Sequence, residues 1–372
     1  MKHTFRYSKT PYAELHLHFG GALMPRVLWH QVHEVEHSDE LITAGFKNYN
    51  EFESFFLKKE RKSLEEYLQM HDVVEPIQTM NRLDYFVKRL MRGAFEFENL
   101  SYIEIRYCPY SRTVGKDEKE KIKQMRDVVL TMQHAFERYS NGTEEECYPI
   151  IMKQILCMHS QSKYSPSVNS AIVDLAIEMK ELGYVCGVDI AGGEKPYDSR
   201  FEEIFQNFKL AREHGLKTTA HIFETEFTPE KFRKLFPYLD RIGHGIQIPL
   251  NYPYYLDDLR EHGICLEICP TTYFKCGTFE NYNQLHSIFK ICEHSGVDIT
   301  IGTDNSGMHG VRLQNEFEHL LIHRVISHEQ LDVVRKNAFK HAFGLSESEK
   351  KVFLNHTKIK IELGEYDLEI RI

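Results

Sequence analysis

The amino-acid sequence predicts an α/β protein, a (β/α)8 TIM barrel with a helical insertion after the first strand and a C-terminal β-hairpin extension. Eight short runs rich in Ile, Val, Leu and Tyr do not alternate strictly with polar residues, which is typical of parallel strands covered on both faces. Segments with apolar residues three and four positions apart, which predict helices, separate these runs. Several helical segments end in a Gly that the next strand follows at once. This alternation with eight strands favours a barrel over an open doubly wound sheet.

The candidate elements cover most of the chain. The strands are expected at residues 12–18, 100–107, 149–158, 184–190, 217–221, 241–243, 264–268 and 297–303. The clearest helices between them are expected at residues 122–139, 168–182, 201–214 and 285–294. The glycines that close a helix before a strand are Gly183, Gly215, Gly263 and Gly296. No Gly-x-Gly-x-x-Gly segment opens a helix, which argues against a dinucleotide or nucleoside-triphosphate site.

A long segment, residues 24–99, separates the first two strands and has a mostly helical pattern. Within it, Phe52, Phe55 and Phe56 share one helical face. This face either packs on the barrel or forms an apolar lid over a pocket. In the second case Phe56 is a candidate substrate contact.

The C-terminal residues change in character. Residues 357–363 and 366–372 alternate between polar and apolar side chains around Gly364-Glu365, which predicts a β-hairpin. We therefore expect a barrel domain over residues 1–350, including the insertion, and a hairpin extension over residues 351–372. The hairpin would pack outside the barrel or on a partner subunit, so the pattern is compatible with a homo-oligomer.

Composition excludes several classes of protein. Hydrophobic residues make up 42% and charged residues 27% of the 372 residues, as in an ordinary globular protein with a large core. The net charge of -9, without a basic stripe, argues against a nucleic-acid partner. Eight cysteines without a Cys-x-x-Cys pair indicate free thiols in a reducing compartment. With no signal-peptide pattern and no apolar run of about 18 residues, the sequence predicts a cytoplasmic protein that does not enter a membrane.

Small polar clusters stand at the ends of four of the predicted strands. They are His16 with His18, His221 with Glu224, His244, and Asp304. Residues two apart in a strand point the same way, so both members of the His-x-His pair would face the barrel interior. Barrel enzymes carry their active sites at the C-terminal ends of the strands, where all four clusters fall. Imidazole and carboxylate donors gathered there favour a divalent transition metal, zinc above all, and a metal-dependent hydrolase.

The structural alternative is that each of these residues is a hydrogen-bonded polar group of the core. A His-x-His pair alone is a weak signal in a chain with 21 histidines. An interior Asp304, however, would cost several kcal/mol of desolvation unless a cation met it. The joint placement of the clusters therefore favours the functional interpretation.

Six short motifs carry a resemblance to a known family. In chain order they are Glu14-Leu15-His16-Leu17-His18, Asp189-Ile190-Ala191-Gly192-Gly193-Glu194, His221-Ile222-Phe223-Glu224, Arg241-Ile242-Gly243-His244-Gly245, Glu267-Ile268-Cys269-Pro270-Thr271 and Thr303-Asp304. Their order and approximate spacing resemble the adenosine deaminase family of the amidohydrolase superfamily. The similarity covers most of residues 10–345.

The resemblance implies a ligand set, a reaction and a role for each site residue. One Zn²⁺ would be bound by His16, His18, His221 and Asp304, and would supply hydroxide for attack at C6 of an aminopurine such as adenosine or 2′-deoxyadenosine. Glu224 would protonate ring N1, His244 would take or orient the water proton, and Asp304 would align the hydroxide. The candidate substrate contacts are His18, Gly20, Gly192, Asn305 and Phe56. Inosine or its 2′-deoxy form and ammonia would be the products.

Two departures from the family pattern leave the substrate open. Gly20 stands where the family usually has an Asp that contacts the sugar, and Asn305 stands where it has an Asp near purine N7. The amide of Asn305 can still donate to N7, whereas Gly20 has no side chain to offer. Alternatives are therefore a related hydrolase acting on an N6-substituted purine, a nucleotide or another amino heterocycle, and a non-catalytic barrel stabilised by its metal.

Overall fold

The protein is described by a computed structural model that covers residues 11–57, 61, 63–142, 146–227 and 229–355, apart from the side chain of Thr43. Eight strands form a single parallel sheet in sequential order. They are β1 (Tyr12–His18), β2 (Leu100–Tyr107), β3 (Ile151–His159), β4 (Val185–Ala191), β5 (Lys217–Ile222), β6 (Arg241–His244), β7 (Cys265–Ile268) and β8 (Ile299–Ile301). The sheet curls into a barrel because His18 N donates to Asp304 O and Asp304 N donates to His16 O, which brings the β8 end of the chain to β1.

Helices follow almost every strand and surround the sheet. They are α1 (Phe19–Ala22), α2 (Pro25–Trp29), α3 (Glu40–Thr43), α4 (Tyr49–Leu57), α5 (Leu64–Val74), α6 (Leu83–Glu96), α7 (Glu118–Ser140), α8 (Pro166–Glu181), α9 (Glu194–Ser199), α10 (Phe201–Glu213), α11 (Gln247–Asn251), α12 (Leu256–His262), α13 (Pro270–Lys275), α14 (Asn283–Ser295), α15 (Ser306–His309), α16 (Leu313–Ile322), α17 (His328–Lys340) and α18 (Glu347–Leu354). A π-helical turn spans His30–Val35, and short 3₁₀ segments include Glu75–Ile77 directly after α5. No helix among the described residues is long and apolar enough to cross a bilayer.

The barrel prediction is confirmed, and the predicted strands lie within two residues of the observed ones at either end. The strands are buried along nearly their whole length, as expected for a sheet covered on both faces. Gly263 and Gly296 close α12 and α14 in the left-handed conformation, as predicted. All eight cysteines are free thiols.

The insertion between β1 and β2 is helical, and it holds α2 to α6. Ser63 caps α5 by accepting a hydrogen bond from the Glu66 backbone, which fixes where this helix begins. The apolar face of α4 is packed inside the protein, with Phe52 against Trp29 and Phe56 against Phe52 and Phe55. The predicted hairpin of residues 357–372 lies outside the described residues. The expected boundary at residue 350 falls within α18.

Buried ion pairs link side chains of β2, β6 and β7. The Arg241 guanidinium binds the carboxylates of Glu104 and Glu267, and none of these three side chains is exposed. Glu104 also accepts a hydrogen bond from Tyr102 at 2.6 Å. Removing one partner of such a group leaves a buried charge without compensation, which is more costly than the pair itself is stabilising.

We therefore expect Glu104→Ala to lower the free energy of unfolding by about 3–5 kcal/mol in urea denaturation. The matched control is Glu178→Ala. It breaks the ion pair between Glu178 and Arg126, whose side chains are 52% and 50% exposed, respectively. That surface change is expected to cost less than about 1 kcal/mol. Equal, small losses for the two variants would contradict the importance assigned to the buried pair.

Candidate active site

The predicted site residues, apart from Phe56, meet around one cavity at the C-terminal end of the barrel. Its volume is about 60 Å³. Among its lining residues are His18, Gly20, Gly192, His221, Glu224, His244, Asp304 and Asn305. His16 lies directly beneath, with its ring centre 4.8 Å from those of His221 and His244.

Four side chains aim a donor atom at one point. One donor atom each of His16, His18, His221 and Asp304 lies within 4.8 Å of every other. Asp304 Oδ1 is 3.4 Å from His18 Nε2 and 3.7 Å from His16 Nε2. This set of three imidazoles and one carboxylate could hold a divalent transition metal.

Two features of the cluster test whether a metal fits. His16 Nε2 is buried and has no hydrogen-bond partner among the described residues, which is costly for an imidazole nitrogen inside a protein. The Nε2 atoms of His18 and His221 lie 3.0 Å apart. Both facts are explained if the three nitrogens share a cation, so the residues present fit the metal that the donor set suggests.

The Nδ1 atoms of His16 and His221, the second ring nitrogen in each case, contact buried carboxylates. His16 Nδ1 lies 2.6 Å from Glu267 Oε2, and His221 Nδ1 lies 3.1 Å from Asp189 Oδ1. Arg106, which has no exposed surface, binds both carboxylates at 2.9 and 3.1 Å. A ring that donates through Nδ1 presents Nε2 to the cavity as a lone pair, which is the tautomer a metal requires.

The chain leaves three strands through a strained backbone. Phe223, His244 and Asp304 have positive φ values of 58°, 63° and 59°, in the left-handed region. Such a conformation costs a non-glycine residue about 1–3 kcal/mol and is concentrated at functional sites. These turns follow β5, end β6 and follow β8, so they set the direction of Glu224, His244 and Asp304 at the cavity.

Glu224 and His244 face each other beside the four potential metal ligands. Glu224 Oε1 is 3.6 Å from His244 Nε2, and His244 Nδ1 is 3.3 Å from the hydroxyl of Tyr273. Burial raises the pKa of Glu224 to about 8. Burial also lowers the pKa of His244 well below its usual range, and the neighbouring His221 adds to this. Burial thus favours the protonated form of the Glu224 carboxyl and the neutral form of the His244 imidazole.

Asp304 and Asn305 are held by side chains from α5 and α13. Asp304 Oδ2 accepts a hydrogen bond from Thr272 at 3.0 Å, which leaves Oδ1 to face the three histidines. Asn305 Nδ2 donates to the hydroxyl of Tyr67, which lies 2.8 Å from His309 Nε2. The amide packs against Gly21, where an added Cβ would stand 1.9 Å from Asn305 Oδ1. Position 21 must therefore be a glycine, because any side chain there would collide with Asn305.

The wall beyond Gly20 is polar. A Cβ added to Gly20 would lie 2.9 Å from His71 Nδ1 and 3.6 Å from Arg112 Nη2, so these side chains fill the space that an Asp would need. Arg112 Nη1 is 3.3 Å from Glu75 Oε1. His71 is on α5, and Glu75 follows that helix directly. This wall was not predicted from the sequence.

Phe56 does not belong to the site, contrary to the prediction of a substrate contact. It is 1% exposed within the aromatic cluster of α4, and it is not among the side chains that line the cavity in the described part of the chain. The helix that covers the cavity is α5, through Leu64, Tyr67, Leu68 and His71. The four-residue spacing of Tyr67, His71 and Glu75 is a sequence signal that could have identified this polar stripe.

The barrel and its cluster define a TIM-barrel hydrolase with a candidate metal centre. A family model described as adenosine deaminase matches residues 11–358, and the chain belongs to the adenosine deaminase family. It is thus a hydrolytic deaminase that acts on a carbon–nitrogen bond, and the alternative of a non-catalytic barrel is set aside.

Relatives and solved structures agree with this assignment. The chain is 27% identical to the adenosine deaminase of Clostridium kluyveri over 352 residues, 92% of each chain, and 28% identical to that of Clostridium acetobutylicum over 341 residues, 91% of this chain and 94% of the relative.

Its fold is similar to that of an adenine deaminase from Arthrobacter aurescens, with a TM-score of 0.76, 17% identity and coverage of 93% and 97%. It is also similar to the N6-methyl-AMP deaminase of Arabidopsis thaliana, with a TM-score of 0.70, 19% identity and coverage of 93% and 95%.

We expect His16→Ala and His221→Ala to reduce the bound metal from about one ion per chain to a small fraction, because each removes a converging nitrogen. Elemental analysis of purified, dialysed protein measures this. The matched control is His214→Ala, an exposed histidine at the end of α10, which should leave the metal content unchanged. Full metal content in the two site variants would contradict the assignment.

Proposed function

We propose that the protein is a zinc-dependent aminohydrolase that converts adenosine or 2′-deoxyadenosine to the corresponding 6-oxo nucleoside and ammonia. The observation that carries the proposal is the convergence of four potential metal ligands, Glu224 and His244 on one cavity, where burial raises the pKa of Glu224 and lowers that of His244. A metal would be held by His16, His18, His221 and Asp304. When bound, it would supply the Lewis acidity that ionises a water near neutral pH.

Glu224 is the proposed general acid. Its carboxyl group is 7% exposed, and its pKa of about 8, raised by burial, keeps the proton in place at neutral pH. Donation of this proton to ring N1 of a 6-aminopurine would let the ring accept electron density when C6 is attacked. A carboxylate of ordinary pKa could not donate at neutral pH.

His244 is the proposed base for the attacking water. In the tautomer that donates from Nδ1 to Tyr273, Nε2 is free to accept a proton on the side of Glu224. Its burial keeps the ring neutral until it does so. Asp304 would orient the water through Oδ1, because Thr272 already holds Oδ2.

The purine ring would be positioned by groups on opposite sides of the cavity. Gly192, which directly follows β4, lines the cavity and could meet a ring edge through its backbone. Asn305 Nδ2 donates one hydrogen to the hydroxyl of Tyr67 and keeps a second hydrogen that could be donated to N7. The candidate contacts His18, Gly20 and Gly192 all line the same cavity.

A second candidate is the same reaction on another purine, such as adenine or an N6-substituted purine. It is favoured by Gly20, which offers no side chain to a sugar. The fold similarity to proteins described as adenine deaminase and N6-methyl-AMP deaminase is compatible with it.

The direct test is a substrate panel for the zinc-loaded protein. It contains adenosine, 2′-deoxyadenosine, adenine, AMP and N6-methyladenosine, scored by release of ammonia or methylamine, with a chelator-treated sample as control. We expect metal-dependent turnover of adenosine at about 10 s⁻¹, a typical enzymatic rate. Turnover of another compound without adenosine would favour the second candidate, and no release from any of them would overturn both.

We expect Glu224→Gln to lower kcat at least about 100-fold while the metal content stays unchanged, because the amide cannot donate the proton that general acid catalysis requires. Steady-state kinetics and elemental analysis measure the two quantities. Glu226→Gln, two residues along the same loop, is the matched control and should retain activity. Undiminished turnover in Glu224→Gln would contradict the role assigned to this residue.

A further inference from the structure

The cavity has a second polar wall, away from Glu224 and His244, that the proposed reaction does not use. His71 stands next to the metal-type donors, with its ring centre 6.1 Å from that of His18. Arg112, Glu75 and His159 continue the wall, and all of them line the cavity.

Glu75 is the acceptor that this wall presents. Its side chain is 14% exposed and faces the cavity. Its two contacts are long: Oε1 is 3.3 Å from Arg112 Nη1, and Oε2 is 3.5 Å from the hydroxyl of Tyr164. A carboxylate has about four lone-pair positions, so Glu75 keeps capacity to accept further hydrogen bonds.

The surroundings of Glu75 keep it ionised. Burial by itself would raise the pKa of this carboxyl, but the neighbouring positive charges, that of Arg112 above all, lower it to about 2. Glu75 is therefore an anionic acceptor at neutral pH.

The positive charges of the wall are already balanced. Arg112 is 1% exposed and is paired with Glu75, and it also donates to the backbone oxygen of Cys108 at 3.1 Å. Lys163 is paired with Asp72 at 2.8 Å. Burial lowers the pKa of His159 to about 4.

Among the described residues of this wall, Arg112 and Lys163 are each paired with a carboxylate and His159 is neutral at pH 7, so they offer no unpaired positive charge to a phosphate.

We propose that Glu75 accepts a hydrogen bond from a hydroxyl group of the substrate's sugar and repels a phosphate at the same place, so that the enzyme acts on nucleosides and discriminates against nucleotides. This inference rests on the proposed function, because it assumes that a purine occupies the cavity. It assigns to Glu75 the sugar contact that Gly20 cannot make. A hydrogen bond to a charged acceptor contributes about tenfold or more in affinity.

A binding experiment with three products tests this without depending on turnover. Hypoxanthine, inosine and IMP share the same ring and differ in carrying no sugar, a sugar with hydroxyl groups, and a sugar with a phosphate. Their dissociation constants are measured by calorimetry for the metal-loaded protein, for Glu75→Gln and for Glu65→Gln. The last variant makes the same change at an exposed position of α5, where the side chain of Glu65 is 75% exposed.

In the unaltered protein, inosine is expected to bind at least tenfold more tightly than IMP. Glu75→Gln should weaken the binding of inosine about tenfold. It should strengthen the binding of IMP, because the repelling charge is gone and Arg112 has lost its charged partner. Hypoxanthine should bind within about twofold of its original affinity, which also reports that the variant is folded. Glu65→Gln should match the unaltered protein throughout.

IMP binding as tightly as inosine in the unaltered protein, or an inosine affinity that Glu75→Gln leaves unchanged, would overturn the inference. If either of these binding results is found while adenosine is deaminated, the proposed function stands and only the role of Glu75 falls. If no purine in the panel is deaminated while the binding pattern holds, the proposed function falls and the sugar contact stands.

Discussion

The arrangement of the site depends on buried charges inside the barrel. Arg106 has no exposed surface and binds both Glu267 and Asp189, which in turn hold His16 and His221 by their Nδ1 atoms. A charge buried in this way is tolerated only when its partners are in place, so Arg106 also holds the two carboxylates that contact the rings. The Nε2 atoms are consequently aimed at the cavity by the fold itself.

Burial also separates the roles of the titratable groups around that point. The same desolvation that raises the pKa of Glu224 lowers that of His244, so one group keeps a proton and the other lacks one. The backbone strain at His244 and Asp304 is compatible with this arrangement, because strained residues persist only where the surrounding structure determines their conformation. Glu75 lies outside this group and is held ionised by Arg112.

The strands and the metal-type ligands could be predicted from the sequence because each follows from a local rule. Buried parallel strands read as apolar runs, and the C-terminal ends of barrel strands collect at one face. The wall formed by Tyr67, His71 and Glu75 could not be predicted in the same way. The side of a helix that faces a cavity depends on how the whole insertion packs, and for Phe56 the two interpretations of its helical face were both compatible with the sequence.

The most direct test of this account is anomalous diffraction at the zinc edge from crystals of the metal-loaded protein. The account predicts one strong peak bounded by His16, His18, His221 and Asp304, with Glu224 and His244 beside it. A peak at another place, or zinc that binds with these histidines turned away from it, would contradict the central claim that the buried network orients a metal-binding catalytic site.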